Sequence, residues 1–273
     1  MGNDLIKWLA SYPKSGNTWV RLFLNAYCSN GLDVNESRHS IGDVNPYYYQ
    51  TVSPKPVTDL SPTEFNILRP AALAHMLTAY SHIDPLFIKT HNANVLIDDI
   101  ALIPPSITDK AVYIVRDPRD VCISYANHFN VSIDDAIAAM NDTHRVIGDN
   151  NLIHTLSTWS NHINSWLSEE RFKVGLIRYE DICANPRGKF IDLLTYLGIE
   201  VDIDRFNMAL DRTSFNKLSE EEDEYGFKEA PNGVKFFKRG GTYWQETLTQ
   251  EQAALIVEHH GTSMQRVGYA TAL

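Results

Sequence analysis

Three observations predict an α/β fold, a central parallel sheet flanked by helices: short β-branched runs alternate with longer amphipathic ones, the strands lie too far apart for hairpins, and a polar glycine turn follows the first strand. LIKWLASY (residues 5–12) reads as the first strand and TWVRLFLNAYC (18–28) as a buried helix. LFIKTH (86–91) is a second strand, and KAVYIVRD (110–117) a nearly continuous apolar third. VCISYANHF then looks helical. KVGLIRYED (173–181) gives a fourth strand, followed after Asn185-Pro186 by the helix RGKFIDLLTYLG, with Gly198 as its C-terminal stop. Two stretches read as irregular. Residues 45–63, rich in Pro, Ser and aromatics, suggest an ordered loop over a pocket. Residues 218–244, acidic at first and basic from Lys235, suggest a mobile, solvated lid whose basic end also touches ligand.

The length, 273 residues with 44% hydrophobic content, suits one large domain, expected to span residues 1–273. No apolar run approaches the ~18 to 20 residues of a membrane helix, and the start does not resemble a signal peptide, so a soluble, cytoplasmic protein is expected. Three dispersed cysteines, Cys28, Cys122 and Cys183, suggest neither a disulfide framework nor a zinc knot. A formal net charge of −10 argues against general nucleic-acid binding. Any anionic ligand must be held by local donors.

SYPKSGNTW (11–19) supplies such donors. A tight turn from a strand into a helix points several N–H groups at one spot, where the helix dipole also favours negative charge. Lys14 adds a point charge, Ser15, Asn17 and Thr18 add side-chain donors, and Gly16 permits close approach of a ligand. The competing reading is an ordinary strand-to-helix turn with a threonine cap. The nucleotide loop GxxxxGK[ST] places its lysine after the last glycine, whereas Lys14 precedes Gly16, and no GK[ST] triplet occurs in the chain. A sulfuryl group carries less charge than a terminal phosphate, so the altered loop favours sulfuryl over phosphoryl transfer.

With these residues in view, the chain resembles the sulfotransferases that use 3′-phosphoadenosine 5′-phosphosulfate (PAPS). YPKSGNTW is similar to their 5′-phosphosulfate loop and VRDPRDVCISYANHF (115–129) to their 3′-phosphate segment; IKTH (88–91), RYED (178–181), RTSF (212–215) and FFKRGG (236–241) follow in the family's order. The resemblance implies a P-loop-like fold, PAPS as donor, 3′-phosphoadenosine 5′-phosphate (PAP) as product, a small hydroxyl acceptor and no metal. It implies that Lys14 and the backbone of Ser15, Gly16, Asn17, Thr18 and Trp19 hold the 5′-phosphate and bridging oxygen. Arg116 and Ser124, helped by the start of the following helix, would bind the 3′-phosphate, with Lys238, Arg239 and Gly240 closing from the lid. Adenine would stack on Trp19 near Tyr179 and Ser214. Plainer readings stand beside these: Arg116 pairs with Asp117 or Asp120, and Tyr179 is a satisfied core tyrosine.

A hydroxyl acceptor must lose a proton, so the site needs a base titrating near neutrality. His91 ends the strand LFIKT, at the edge where open α/β sheets place ligands, two residues after Lys89 and on the same face. The resemblance makes His91 the catalytic base and Lys89 a second cation. His128 is a weaker candidate for acceptor contact, and His259 and His260 are expected to be solvated. Tyr47, Tyr48, Tyr49, Phe65, Phe129, Tyr225 and Phe227 either line an apolar acceptor pocket or pack over the sheet. The chain departs from the family at GGTYW (240–244), where Tyr243 and Gln245 flank the tryptophan, and its C-terminal helix lacks the animal-type dimer motif, which leaves a homodimer open. Two rivals remain: a P-loop kinase with Asp117 on magnesium, and a nucleotide-binding module without turnover.

Overall fold

A computed structural model of the protein describes residues 5–29, 39–149, 152–230, 235–237 and 243–273. Along the chain run β1 (Ile6–Ser11), α1 (Asn17–Ser29), β2 (Ser40–Gly42), α2 (Pro46–Val52), α3 (Pro62–Ala79), β3 (Phe87–Thr90), a small hairpin of β4 (Leu96–Ile97) and β5 (Ile100–Ala101), β6 (Thr108–Val115), α4 (Pro118–Phe129) and α5 (Ile133–Asn141). A second hairpin, β7 (Val146–Asp149) and β8 (Leu152–Thr155), precedes α6 (Trp159–Leu167), β9 (Lys173–Arg178), α7 (Tyr179–Ala184), α8 (Pro186–Leu197), α9 (Ile203–Arg212), α10 (Phe215–Tyr225), α11 (Trp244–Thr247) and α12 (Gln250–Arg266).

The central sheet has the order β2-β3-β1-β6-β9, and every pair in it is parallel. Its strands alternate between two cores because successive side chains leave opposite faces of a pleated sheet. Trp8, Ala10, Ile88, Ala111, Tyr113 and Val115 join a cluster with Tyr49, Phe65 and Met76 beneath α2 and α3, and with Trp159, Ile163 and Trp166 of α6. Leu9, Phe87, Val112, Ile114 and Ile177 face α1, α8 and α9 through Phe23, Leu24, Phe190, Leu194 and Phe206. Covered on both faces, the sheet offers ligands only its edges and strand ends. The chain leaves β1 toward β3 on one side and returns toward β6 on the other, so the order reverses at β1. That reversal opens a crevice at the carboxyl ends of the strands, where open α/β sheets bind ligands.

The strands and helices expected from periodicity are present, with Gly198 the left-handed C-cap of α8 at φ +74°. Four expectations fail. Residues 45–63 are not an irregular loop: Asn45 caps α2 and Ser61 caps α3 with a full capping box, local bonds that Pro and Ser content conceals. The strand at 173–181 ends at Arg178, and Tyr179–Asp181 start α7. The acidic start of the expected lid is helical as α10, with buried Glu222 accepting the Phe236 and Phe237 N–H groups at 2.6 and 2.8 Å. His260 is buried, not solvated, because α12 turns that side toward α6, where Ser160 Oγ lies 2.9 Å from its Nδ1.

Candidate active site

A cavity of about 770 Å³ opens at the carboxyl ends of β1, β3, β6 and β9. The loop after β1 contributes Lys14, Gly16, Asn17, Thr18 and Trp19; β3 contributes Lys89 and the residue after it, His91; Arg116 follows β6, and Tyr179 begins α7. From α4 come Asp120, Ile123, Ser124, Asn127 and His128, one helical face at spacings of three and four.

The loop is shaped by two left-handed residues, Lys14 at φ +68° and Gly16 at φ +96°. A Cβ on Gly16 would lie 2.5 Å from the Tyr179 ring, so glycine is required by both backbone and neighbour. Asn17 and Thr18 start α1 and have no acceptor within that helix for their N–H groups. Trp19 N–H bonds back to the Gly16 carbonyl at 3.1 Å, which removes it from the expected backbone donors. The Asn17 amide is turned inward, donating to Leu9 O at 2.9 Å and Ser11 Oγ at 3.2 Å, so this side chain braces the loop. Ser15 is buried under the turn, and Ser214 caps α10 beside the Trp19 pocket; neither lines the cavity. Trp19 donates from Nε1 to Thr213 O at 2.8 Å and packs against Tyr179, Phe190 and Phe215. Lys238, Arg239 and Gly240 lie outside the described residues.

Charge in the cavity is concentrated. Burial, with Lys89 and Arg116 adding to it against the pull of Glu229, lowers Lys14 to about 8. Its Nζ donates to His128 Nδ1 at 3.3 Å and lies 4.4 Å from the Phe236 ring centroid. Burial also lowers Lys89, opposed by Glu229. The Arg116 guanidinium rests 4.6 Å over the Tyr179 ring and reaches the Lys14 carbonyl at 3.4 Å. Of its two expected partners, Asp117 is paired instead with Arg119, at 2.9 and 2.7 Å, and caps α4 through the Arg119 N–H, while Asp120 accepts the Tyr243 N–H at 2.7 Å and is near enough for the Arg116 charge to oppose the upward push of burial on its carboxyl. That engagement removes Asp117 from the metal-holding role of the kinase reading. With Pro118 lacking an N–H and Arg119 bonded, the start of α4 is also a poorer phosphate donor than expected.

One acidic group was missed altogether. Glu229, beyond α10, accepts from Thr18 Oγ1 at 3.0 Å, pairs with Arg21 and approaches Lys89 Nζ to 4.0 Å. Burial pushes its carboxyl up, but Lys89 and Arg21 outweigh that and hold it below its ordinary value. A carboxylate oxygen thus lies within the reach of Thr18, Arg21 and Lys89. No short-range pattern could reveal a pairing that joins residues 208 positions apart.

His91 is fixed by its neighbours. Its Nδ1–H donates to Ser11 O at 2.8 Å, so the unprotonated nitrogen is Nε2. Burial, then Lys89 and His154, lower it well below the usual histidine value, leaving it neutral at pH 7. Behind it, His162 Nε2–H donates to His91 O at 3.0 Å and Tyr113 OH donates to His162 Nδ1 at 2.7 Å. A second unforeseen imidazole, His154 of β8, lies beside His91 with ring centroids 5.5 Å apart. Of the aromatic residues expected around an acceptor, only Phe129 reaches the cavity. Tyr48, Tyr49, Phe65 and Phe227 are core, while Tyr47 and Tyr225 are 67% and 69% exposed. The apolar lining is instead Ile123, Val146, Ile147 and Phe236.

Among the described residues no helix is long and apolar enough to cross a membrane, and no cluster of three or more His, Cys, Asp or Glu is placed to hold a metal.

Comparison with known proteins follows the same outline. Residues 6–268 match the family model described as the sulfotransferase domain. Sulfotransferase 1A1 of Rattus norvegicus is 25% identical over 96% of this chain and 84% of that protein, and sulfotransferase 1B1 of Canis lupus familiaris is 25% identical over 80% and 67%. In fold, the chain is similar to retinol dehydratase solved with androsterone and PAP, at a TM-score of 0.62 and 18% identity over 99% of this chain and 83% of that one. Mouse sulfotransferase SULT7A1, solved with PAP, follows at 0.59 and 17% over 96% and 85%. With the family model spanning the strand-end cavity and both flanking cores, the chain belongs to the sulfotransferase domain family, enzymes that transfer sulfuryl groups from PAPS.

Proposed function

We propose that the cavity transfers a sulfuryl group from PAPS to the hydroxyl of a small, largely apolar acceptor, with His91 as base. The observation that carries this reading is the tautomer of His91: Ser11 O holds the Nδ1 proton, leaving an unprotonated Nε2 in a cavity also lined by Lys14 and Lys89. His91 Nε2 takes the acceptor proton as the acceptor oxygen bonds to sulfur. The bond from sulfur to the bridging oxygen breaks in line with that attack. Lys14 and Lys89 offset the charge that passes to the departing PAP. The Thr18 hydroxyl and the first-turn N–H groups of α1 hold the 5′-phosphate, Arg116 and Ser124 the 3′-phosphate, and Trp19 with Tyr179 the adenine. By the family resemblance, Lys238, Arg239 and Gly240 also contact the 3′-phosphate. PAP in the two solved relatives and the oxyanion-binding donors around Glu229 support this donor, and androsterone in one relative supports an apolar alcohol as acceptor. A cytoplasmic setting agrees with the free thiols Cys28, Cys122 and Cys183.

Label from radioactive PAPS, followed onto a panel of alcohols and phenols, tests the proposal. Its donor half has two sharper checks. Arg116→Ala weakens PAP binding by about 1.5 to 3 kcal/mol in calorimetry, the scale of a charged hydrogen bond, and much less for the analogue without the 3′-phosphate. Equal losses for both nucleotides would remove Arg116 from that subsite. Glu229→Gln, which relieves competition between a carboxylate and the incoming phosphosulfate, tightens PAP binding by about 2- to 10-fold while lowering the thermal midpoint of the nucleotide-free protein. Weaker binding would instead make Glu229 a support of the bound state.

A further inference from the structure

Arg145 lines the cavity but has no part in holding the donor or moving the proton. It stands just before β7, where its carbonyl accepts the Leu156 and Ser157 N–H groups at 2.8 and 3.1 Å, so it extends the β7-β8 ladder by one pair. Side chains two apart on a strand share a face, which sets Arg145 beside Ile147. Ile147 in turn pairs with His154, the neighbour of His91. One such step along a strand is ~7 Å. Arg145 therefore belongs to the histidine side of the cavity, apart from the β1 loop and its cations.

Its guanidinium is held by one edge. Nε and Nη2 both donate to the Tyr125 hydroxyl, at 3.0 and 2.5 Å, and Tyr125 is a buried residue of α4 whose ring packs on Phe129 in the cavity wall. A guanidinium carries five N–H groups in a rigid fork. Two of them are used, so the edge formed by Nη1 and the second Nη2 hydrogen has no protein acceptor among the described residues. The charge is not paired either. Arg21, Arg69, Arg119 and Arg171 each meet a carboxylate, whereas Arg145 meets a neutral hydroxyl. Asp142, three residues earlier, is exposed, and its Oδ1 takes the His144 N–H at 2.8 Å. The carboxylates that line the cavity are engaged elsewhere, Glu229 with Thr18 and Arg21, and Asp120 with the Tyr243 N–H. A positive fork anchored through its backbone and through Tyr125 is preorganised, and two parallel N–H groups match a planar carboxylate.

We propose that Arg145 anchors a carboxylate of the acceptor, which makes the acceptor class hydroxy acids: an apolar body with the reacting hydroxyl at one end and a carboxylate at the other, as in phenolic acids and ω-hydroxyalkanoic acids. This rests on the sulfuryl-transfer reading above and narrows its acceptor class. The free edge of the fork takes the carboxylate oxygens, Ile123, Phe129, Val146 and Ile147 cover the apolar body, and the hydroxyl is left for His91. Arg145 is a specificity residue and takes no part in proton transfer. An anion held by Lys14, Lys89 or Arg116 would compete with the nucleotide, whereas one held by Arg145 binds beside it.

The test pairs each acid with its neutral amide of the same size: 4-hydroxyphenylacetate against 4-hydroxyphenylacetamide, and 6-hydroxyhexanoate against 6-hydroxyhexanamide, each with labelled PAPS. The wild-type ratio of kcat/KM, acid over amide, is expected to be about 10 to 100 for at least one pair, the range of a hydrogen bond to a charged group, and to be carried by KM. Arg145→Met brings that ratio near one and leaves the amide within about threefold of its wild-type value. Arg145→Lys, which keeps the charge but not the fork, restores part of the preference. A ratio unchanged by Arg145→Met, or a loss of equal size for acid and amide, overturns the proposal. Calorimetry of the same compounds on PAP-loaded protein decides it without turnover, since PAP already fills the other cationic positions. The acid is expected to bind about 10- to 100-fold more tightly than the amide in the wild type and equally in Arg145→Met. Equal binding of acid and amide by the wild type overturns the carboxylate anchor. Arg145-dependent binding of the acids with no labelled ester would uphold the anchor and count against the transfer reading alone.

Discussion

Replacing His91 by alanine abolishes turnover to within detection, a fall of ~10² to 10⁴ in kcat, while PAP affinity changes by less than about twofold. The separation follows from the proposed roles: His91 would meet the acceptor, whereas the nucleotide would be held from the β1 loop and α4. Comparing single-turnover transfer with calorimetry of PAP makes the check. Retained turnover would remove His91 from the mechanism, and a parallel loss of PAP affinity would make it a nucleotide ligand. The pH dependence has a definite sign. Because burial, Lys89 and His154 hold the His91 pKa well below 6.5, the free enzyme carries a neutral base through pH 7, and the acid limb of kcat/KM lies below 6.5. An acid limb centred at 7 or above would mean another group accepts the proton.

Lys14→Ala gives the second large effect, a fall of ~10² to 10³ in kcat, the usual result of removing a group that meets developing charge. Lys14 is held at φ +68°, a conformation that fixes the direction of its side chain at some backbone cost, and alanine keeps that cost while losing the charge. Lys14→Arg restores part of the rate. Nucleotide binding also acquires a pH dependence from this residue. Since Lys14 titrates at about 8 in the nucleotide-free protein, and an anion prefers its charged form, PAP affinity is full below pH 8 and falls as pH rises through 8. In Lys14→Arg the profile is flat, because arginine stays protonated. A wild-type profile equally flat to pH 9.5 would show that Lys14 does not meet the nucleotide.

Much of the molecule was legible before its structure, for identifiable reasons. The β-branched run at 110–115 and the turn at Tyr12–Thr18 are local signals, and each strand end carries its site residue in sequence: Lys14 after β1, His91 after β3, Arg116 after β6. On α4 the sequence singled out Ser124 and His128, while Ile123 and Asn127 of the same face were not identified. What escaped was long-range. Tyr48, Tyr49 and Phe65 had the composition of a pocket wall, but α2 and α3 turn them into the core. Glu229 was indistinguishable from the acidic run before it, and only the fold sets it against Thr18 and Arg21. His154 becomes a neighbour of His91 because the β7-β8 hairpin folds over the strand ends, a pairing across 63 residues that no window on the sequence contains. His260 failed for a smaller reason: one buried stripe on α12 lies among polar residues, where its period is weak.

The central claim is that this cavity moves a sulfuryl group onto a hydroxyl. Its most direct measurement is a single-turnover reaction of the protein with sulfur-35 PAPS and the acceptor panel, without added metal or ATP. Labelled sulfate ester and one equivalent of PAP are expected from the wild type, and no ester from His91→Ala. Tight PAP binding with no labelled acceptor from any alcohol or phenol, or ester formed equally by His91→Ala, would contradict it.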